Sequence, residues 1–595
     1  MKDFLKNVAA TVVGVFLTFG IILAFTMLSL VGMIASGGSE KVSVEDNSVL
    51  VINLSGEITE KSPAENPFAQ FAGGVADQTG LNDILAAIDK AKENDDIKGI
   101  YLESGYIQAD YATLQEIHDK LLEFKAAKKW IVAYSDHYLQ AGYYLASVAD
   151  KVYLNPMGMA DVHGLGGQPM FLKDLYAKVG VKYNIVKVGT YKSYTEQYTE
   201  DHMSDANREQ VEAYMNGIWK HLSTDIAKSR GITPERLNQL CDDILYLKPA
   251  TYLKQVKLVD ELLYADQVKA AVKKRLGLKD DEKICQLTVS DMKHVDGTGR
   301  HSTKGDEVAV YYCEGSIVMN DVTGMVTGGG IIASHVCRDL EDLKNDDDVK
   351  AVVLRINSGG GDAYASEQLW HYVSELKKVK PVVVSMGGVA ASGAYYMSCN
   401  ASWVIADPTT VTGSIGIFGA FPDATGLITE KLGVKFDEVK TNKNSNFSPM
   451  AYTRPLNAEE IDALQVYVNQ GYQLFRKRVA DGRKMKVEAV EKIAQGRVWT
   501  GEDAKARGLV DQLGNLDAAI TKAAQLAKLN DYHTSDYPAA PDFMEQLMAQ
   551  TSQKSYLDEQ LRLVLGSWYE PFIQLRTLNQ QSPIQARMPF VINLK

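Results

Sequence analysis

Hydrophobic residues in the second half of the chain occur in short runs separated by amphipathic stretches. The run Ala351–Ile356 is rich in β-branched residues and is soon followed by three glycines. From Ala363 to Lys378, apolar residues recur at helical spacing. Two more short apolar runs follow, Pro381–Ser385 and Trp403–Ala406. Short apolar strands that alternate with helices predict an α/β fold with buried strands.

A longer apolar run lies near the N-terminus, where Val8–Ser36 contains no charged residue. A helix needs roughly 20 residues to span a bilayer, so the run predicts an uncleaved membrane anchor. A cleaved signal peptide is the alternative, but its apolar region would be about 7–15 residues long. Lys2 and Lys6 precede the run and acidic residues follow it. The positive-inside rule then predicts a cytoplasmic N-terminus and a translocated main body.

The chain also resembles itself at a constant offset of 252 residues, which pairs Asp96 with Asp348 and Tyr144 with Tyr396. Such self-similarity indicates an internal duplication. We predict an N-terminal stub and anchor over 1–46, a first repeat over 47–290 and a second repeat over 306–540. The extension over 541–595 has no counterpart in the other repeat. An oligomerisation element and a lid are both compatible with its composition.

Composition narrows the classes of function. The 595 residues carry a net charge of −12, so the chain has no overall basic field of the kind that holds nucleic acid. A mean hydropathy of −0.16 excludes a polytopic membrane protein but allows a single anchor. The five cysteines are odd in number and contain no C-x-x-C pair. We therefore expect free, buried thiols rather than a disulfide framework or a zinc site.

The two repeats differ at positions that could carry catalytic residues. Gly359–Gly361 falls opposite Ile107–Ala109, and Ser392 falls opposite Gln140. Glycines after a strand can present backbone N–H groups to an oxyanion, although an ordinary turn is the simpler interpretation. A phosphate loop is the other alternative, but its sequence motifs are absent nearby. Ser392 lies among small residues before a predicted helix, so it is either a nucleophile or a helix N-cap.

A serine nucleophile needs a base, and no histidine stands in an obvious motif. A lysine can serve when desolvation keeps it neutral. Lys192, in the segment Val188–Tyr194, is one candidate, and a solvated surface lysine is the alternative.

Four segments together resemble the signal peptide peptidase A (protease IV) family, in its long, duplicated bacterial form. They are Asn357–Gly361, Ala390–Tyr395, Thr412–Gly416 and, in the first repeat, Gly189–Ser193. One departure is Gly359, where the family usually has proline. The resemblance implies two tandem crotonase/ClpP-like domains behind an N-terminal transmembrane helix.

Carried over residue by residue, the resemblance implies that Ser392 is the nucleophile and Lys192 the general base. The dyad would then be assembled from both repeats. The backbone N–H of Gly360 would be the main oxyanion donor and that of Gly393 a second one. Ser414 would orient Lys192.

The function implied by the resemblance is that of a membrane-anchored serine endopeptidase that degrades cleaved signal peptides without metal or cofactor. Its expected partners are apolar peptides, the bacterial inner membrane and other copies in a homotetramer, with the catalytic domains on the periplasmic side. An inactive, membrane-tethered peptide-binding scaffold is the alternative. A crotonase acting on acyl-CoA is disfavoured, because an exported domain would not meet cytosolic CoA.

Overall fold

A computed structural model describes residues 42–62, 78–296, 305–320, 330–539 and 584–588, with a few isolated positions before residue 22. The predicted anchor over Val8–Ser36 lies almost entirely outside these residues. Within the described part of the chain, no helix combines the length and the apolar character needed to cross a membrane.

The first repeat is built on a parallel sheet with helices packed around it. Its described strands are β1 (Ser48–Thr59), β2 (Gln78–Gly80), β3 (Ile97–Gln108), β4 (Trp130–Tyr138), β5 (Lys151–Ala160), β6 (Lys182–Lys187), β7 (Glu261–Leu262) and β8 (Gln286–Thr288). Its described helices are α1 (Leu81–Glu93), α2 (Tyr111–Ala126), α3 (Gln140–Ala146), α4 (Lys173–Val179), α5 (Glu196–Thr199), α6 (Asp205–Arg230), α7 (Pro234–Asp242), α8 (Ala250–Gln255), α9 (Ala265–Leu276) and α10 (Val289–Lys293). The sheet order is β2-β1-β3-β4-β5-β7, and β8 also pairs with β1.

The second repeat has the same construction. Its described strands are β9 (Asp306–Glu314), β10 (Ile317–Val318), β11 (Ile331–Ile332), β12 (Val349–Ser358), β13 (Gly360–Asp362), β14 (Val382–Ala391), β15 (Trp403–Ala406), β16 (Val411–Gly413), β17 (Phe418–Asp423), β18 (Val498–Thr500), β19 (Gln512–Leu513) and β20 (Tyr532–Tyr537). Its described helices are α11 (Ala333–Asn345), α12 (Ala363–Lys377), α13 (Gly393–Ser398), α14 (Ala458–Arg483), α15 (Val487–Ile493), α16 (Gly501–Ala506) and α17 (Leu516–Ala527). The sheet order is β18-β16-β14-β12-β9-β20, and β15 joins β14 to β19.

The duplication is visible in the element boundaries. Strands β3, β4 and β5 and helix α2 each begin 252 residues before β12, β14, β15 and α12. The predicted α/β architecture is therefore confirmed. The strand predicted at Pro381–Ser385 begins at Val382 and continues to Ala391, because its later residues keep pairing with β12 and β16.

A third, mixed sheet joins the two repeats, in the order β11-β10-β13-β21-β17-β6. It takes β6 from the first repeat and most of its other strands from the second. The strand β21 (Ile584–Arg587) comes from the C-terminal extension and lies between β13 and β17. The candidate site is at the edge where this sheet meets the carboxyl end of β14.

Candidate active site

Ser392 lies at the junction between β14 and α13 with a φ of 58° and a ψ of −113°. This conformation is sparsely populated for a residue with a side chain, and it is held by a hydrogen bond from the Ser392 N–H to the Gly413 carbonyl at 2.8 Å. The hydroxyl makes no N-cap hydrogen bond to α13. Ser392 therefore occupies the N-cap position of α13 without capping the helix through its hydroxyl, which is directed elsewhere.

The amine of Lys192 contacts the Ser392 hydroxyl. Its Nζ lies 2.7 Å from Ser392 Oγ, 3.0 Å from Ser414 Oγ and 3.1 Å from the Ser414 carbonyl oxygen. The structure thus brings together a lysine of the first repeat and two serines of the second. The Ser414 hydroxyl donates to the Gly496 carbonyl at 3.3 Å, which leaves its lone pairs free to accept from Nζ.

The environment of Lys192 makes its amine unusual. The side chain is completely buried, and burial lowers its pKa well below the usual lysine range. Desolvation acts here without compensation from a nearby carboxylate. Burial disfavours the charged ammonium, so the amine is neutral over a wider pH range than a surface lysine and can accept a proton. The surface-lysine interpretation is wrong.

The loop that carries Lys192 rests on a turn of the second repeat. The Tyr191 N–H donates to the Gln495 carbonyl at 2.9 Å. Gly496 has a φ of 81°, and a Cβ at this position would lie 2.6 Å from the backbone nitrogen of Lys192. Only glycine therefore lets the two loops approach so closely. Our sequence reasoning missed Gln495 and Gly496, because nothing in a single sequence links them to a lysine some 300 residues earlier.

Gln210, on α6, ties the same loop to both repeats. Its Nε2 donates to the Tyr191 carbonyl at 3.0 Å and to Ser193 Oγ at 2.9 Å. Its Oε1 accepts the Val498 N–H of the second repeat at 3.3 Å. The side chain is buried, so these bonds are not exchanged with water. Sequence reasoning gave no signal for this residue.

The glycine turn opposite Ser392 lies in a left-handed conformation at Gly360, with a φ of 92°. The Gly360 N–H donates to Ser358 Oγ at 3.1 Å, so this group already has an acceptor. A Cβ on Gly393 would lie 3.2 Å from the Gly361 nitrogen, which places Gly361 beside the residue that follows the serine. The oxyanion roles of Gly360 and Gly393 stay predictions, and Gly361 becomes a third candidate.

The cleft beside Ser392 holds the strand β21. It pairs antiparallel with β13, with Gly361 opposite Ala586, and antiparallel with β17, with Phe418 opposite Gln585. The Met588 N–H donates to the Gly359 carbonyl at 2.7 Å. The sequence allows an oligomerisation element or a lid for the extension, and nothing in its residue order indicates that part of it enters the site.

Comparison with known proteins identifies the family of this chain. The sequence pattern of Peptidase family S49 matches residues 123–279 and 374–530, once in each repeat. The chain belongs to peptidase family S49. Protease 4 of Salmonella typhi is 35% identical over 547 residues, which cover 88% of this chain and 86% of that protein. The chloroplastic serine protease SPPA of Arabidopsis thaliana is 32% identical over 491 residues, covering 82% of this chain and 70% of that protein.

The chain is thus a serine protease with two tandem S49 domains. The family resemblance expected from its motifs is confirmed. Among solved structures, ClpP1 from Listeria monocytogenes matches 35% of this chain and 91% of its own, with 16% identity and a TM-score of 0.22. All five cysteines are free, and all but the half-buried Cys285 are buried, as predicted.

Proposed function

We propose that this S49 protease is a membrane-anchored endopeptidase in which Ser392 and Lys192 form the catalytic dyad. The observation that carries the proposal is the 2.7 Å contact between Lys192 Nζ and Ser392 Oγ at a completely buried lysine. A neutral amine at this distance can accept the serine proton, which makes the oxygen nucleophilic.

The reaction follows from these positions. Lys192 removes the proton as Ser392 Oγ attacks the carbonyl carbon of a peptide, and backbone N–H groups of Gly393 and of Gly360 or Gly361 stabilise the oxyanion. The protonated lysine then gives its proton to the leaving amine. A water molecule, activated by the same lysine, hydrolyses the acyl-enzyme. Ser414 holds the amine in place through its hydroxyl and carbonyl.

Substrate and location are proposed from the family relationship. We take the substrates to be signal peptide remnants, the anchor to lie in the inner membrane, and the two crotonase/ClpP-like repeats, over 47–290 and 306–540, to face the periplasm. Four copies would form the assembly. Membrane fractionation tests the anchor, protease accessibility in spheroplasts tests the periplasmic orientation, and the mass of the detergent-solubilised protein tests the assembly. A soluble or monomeric protein would contradict them.

The dyad is tested with Ser392→Ala and Lys192→Ala. Each should reduce kcat/KM for a synthetic signal peptide by at least about 10³-fold, because the nucleophile and its base act as one unit and the loss of either removes most of the rate enhancement. Circular dichroism should match the wild type. Wild-type activity should rise with pH through the lysine pKa and level off below the ordinary lysine range. Near-normal hydrolysis by either variant would exclude the dyad.

A further inference from the structure

Arg497, in the second repeat, connects the two parts of the candidate site. Its carbonyl accepts the Ser414 N–H at 2.7 Å, and the Ser414 hydroxyl accepts from Lys192 Nζ at 3.0 Å. Its side chain extends across the junction of the repeats to Tyr191, the residue before Lys192. We propose that Arg497 is a positioning residue, which acts through Tyr191 to hold the Lys192 amine at the serine. This inference rests on the proposed dyad.

The guanidinium of Arg497 holds Tyr191 by stacking and by hydrogen bonding. Its Cζ lies 4.7 Å from the centre of the Tyr191 ring, and Nη1 donates to the Tyr191 hydroxyl at 3.0 Å. Nη1 also lies 2.8 Å from Glu209 Oε1, and the same hydroxyl donates to Glu209 Oε2 at 3.1 Å. A planar guanidinium suits a ring and a carboxylate at once, whereas a lysine ammonium is a compact charge without a planar face. The contact therefore restrains the residue directly before Lys192.

The surroundings of Arg497 show that it acts by position rather than by charge. The guanidinium also packs against Trp499 of its own repeat, with Cζ 4.5 Å from the ring centre, and the side chain is only 19% exposed. Glu209 balances its charge. Burial alone lowers the pKa of Lys192, so the neutral state of the amine does not depend on the arginine charge. What Arg497 supplies is a rigid contact between the repeats.

The first repeat contains a similar turn without the arginine. At the offset of 252 residues, Ile244 falls opposite Gly496, and both have a positive φ, 53° and 81° respectively. Leu245 then falls opposite Arg497 and is buried. The turn itself therefore does not require an arginine. The arginine occurs in the repeat whose turn contacts the Lys192 loop.

The experiment compares Arg497→Met with the full-length wild type by hydrolysis of a synthetic signal peptide. Methionine keeps an apolar side chain of similar length but lacks the guanidinium. We expect kcat to fall about tenfold with KM nearly unchanged, because displacement of a catalytic base costs rate rather than binding. The pH profile of kcat should shift to higher pH, since a looser loop admits water and raises the pKa of the amine. A kcat or a pH profile like that of the wild type would overturn the inference.

A fluorophosphonate, which a serine attacks with loss of fluoride, separates the base from peptide binding. Its rate of reaction with Ser392 should fall about tenfold in Arg497→Met, because the same lysine must take the serine proton. Arg507→Met is the matched control, since Arg507 lies 3.7 Å from the same Trp499 ring but is paired with Asp503. It should react at the wild-type rate. Equal losses in the two variants would assign both arginines to general stability and overturn the inference.

A double-mutant cycle tests whether Arg497 acts through Tyr191. Arg497→Met and Tyr191→Ala break the same contact, so the double variant should lose no more activity than the more impaired single variant. Additive losses would overturn this route. Arg497→Lys keeps the charge without the planar face and should be impaired like Arg497→Met. If Arg497→Met does not fold, Arg497→Lys takes its place in the cycle, and full activity of the lysine variant would overturn the inference.

Failure of the dyad gives a different result from failure of this inference. Normal hydrolysis by Ser392→Ala or Lys192→Ala would overturn the dyad and the role of Arg497 together. Loss of activity in both of those variants, with wild-type behaviour of Arg497→Met, would overturn the role of Arg497 alone.

Discussion

Two serines of the site have positive φ angles, 58° at Ser392 and 50° at Ser414. For residues with a side chain such conformations cost of the order of 1–3 kcal/mol each, and they persist only where the surrounding structure holds them. Here the holding bonds run from the Ser392 N–H to Gly413 and from the Ser414 N–H to Arg497. In these conformations both hydroxyls are directed towards Lys192. A serine that caps a helix would instead direct its hydroxyl to the backbone N–H groups of that helix.

At this scale we predict that Lys192→Met is inactive but more stable than the wild type at neutral pH. Burial lowers the pKa of Lys192, so the unfolded chain binds a proton that the folded chain does not. The wild type is therefore less stable below the ordinary lysine pKa, and the penalty fades as pH rises towards 10.5. The unfolding midpoint should rise by about 2–4 °C at pH 7, the shift that about 1 kcal/mol produces in a domain of this size.

The control is Lys187→Met, because Lys187 is exposed in the same segment of the first repeat. Its unfolding midpoint should be unchanged. A stabilisation of Lys192→Met that is the same at pH 7 and pH 10 would show that burial of an ionisable amine is not the cause.

At the scale of elements, the sequence predicts the strands β12, β14 and β15 and the helix α12 of the second repeat, although β14 continues to Ala391, past its predicted end at Ser385. The spacing of apolar residues shows which faces of a strand or helix are buried, because packing in and against the sheet requires apolar side chains on those faces. It does not report which loops meet. The loop after β6, the turn at Gln495 and Gly496, and the strand β21 come together only through tertiary packing, so their proximity has no local signature in the sequence.

We predict that Gln210→Ala lowers kcat about tenfold and shifts the pH profile to higher pH. Without the amide, the Lys192 loop loses its bonds to Tyr191, Ser193 and Val498, and water can reach the amine and raise its pKa. The measurement is kcat as a function of pH. Gln239→Ala, at an exposed position of α7, is the control. A lower kcat with an unchanged pH profile would assign Gln210 a structural role only.

At the scale of the whole molecule, the repeats are joined by a buried ionic cluster. Arg355, on β12 of the second repeat, contacts Glu60 at 2.7 Å and Glu116 at 2.7 Å, both from the first repeat. Asn357 donates to Asp110 at 3.0 Å across the same interface. Because the proposed dyad also draws one residue from each repeat, the contacts that join the repeats also support the candidate site.

Glu314, whose carboxylate accepts the Glu60 N–H at 3.3 Å, adjoins this cluster and gives a test. Burial and the charge of Glu60 raise the pKa of Glu314 to about 8, so the folded chain binds a proton that the unfolded chain has lost. Stability from this group is present at low pH and falls as pH rises from about 4.5 to about 8. Glu314→Gln keeps an acceptor for the Glu60 N–H and removes the titration. It should raise the unfolding midpoint at pH 9 by about 2–4 °C and leave it nearly unchanged at pH 4, below the ordinary glutamate pKa. Equal effects of Glu314→Gln at the two pH values would contradict the raised pKa.

The sequence by itself determined the duplication, the alternation of strands and helices, and the family, through motifs at Gly189–Ser193, Asn357–Gly361 and Ala390–Tyr395. These features reside in residue order and spacing, which one chain displays in full. Tertiary structure alone decided that Lys192 and Ser392 are 2.7 Å apart, that Gly360 already has a partner, and that β21 lies in the cleft. Each of these depends on distances between residues far apart in the chain, and such distances are fixed by packing and burial.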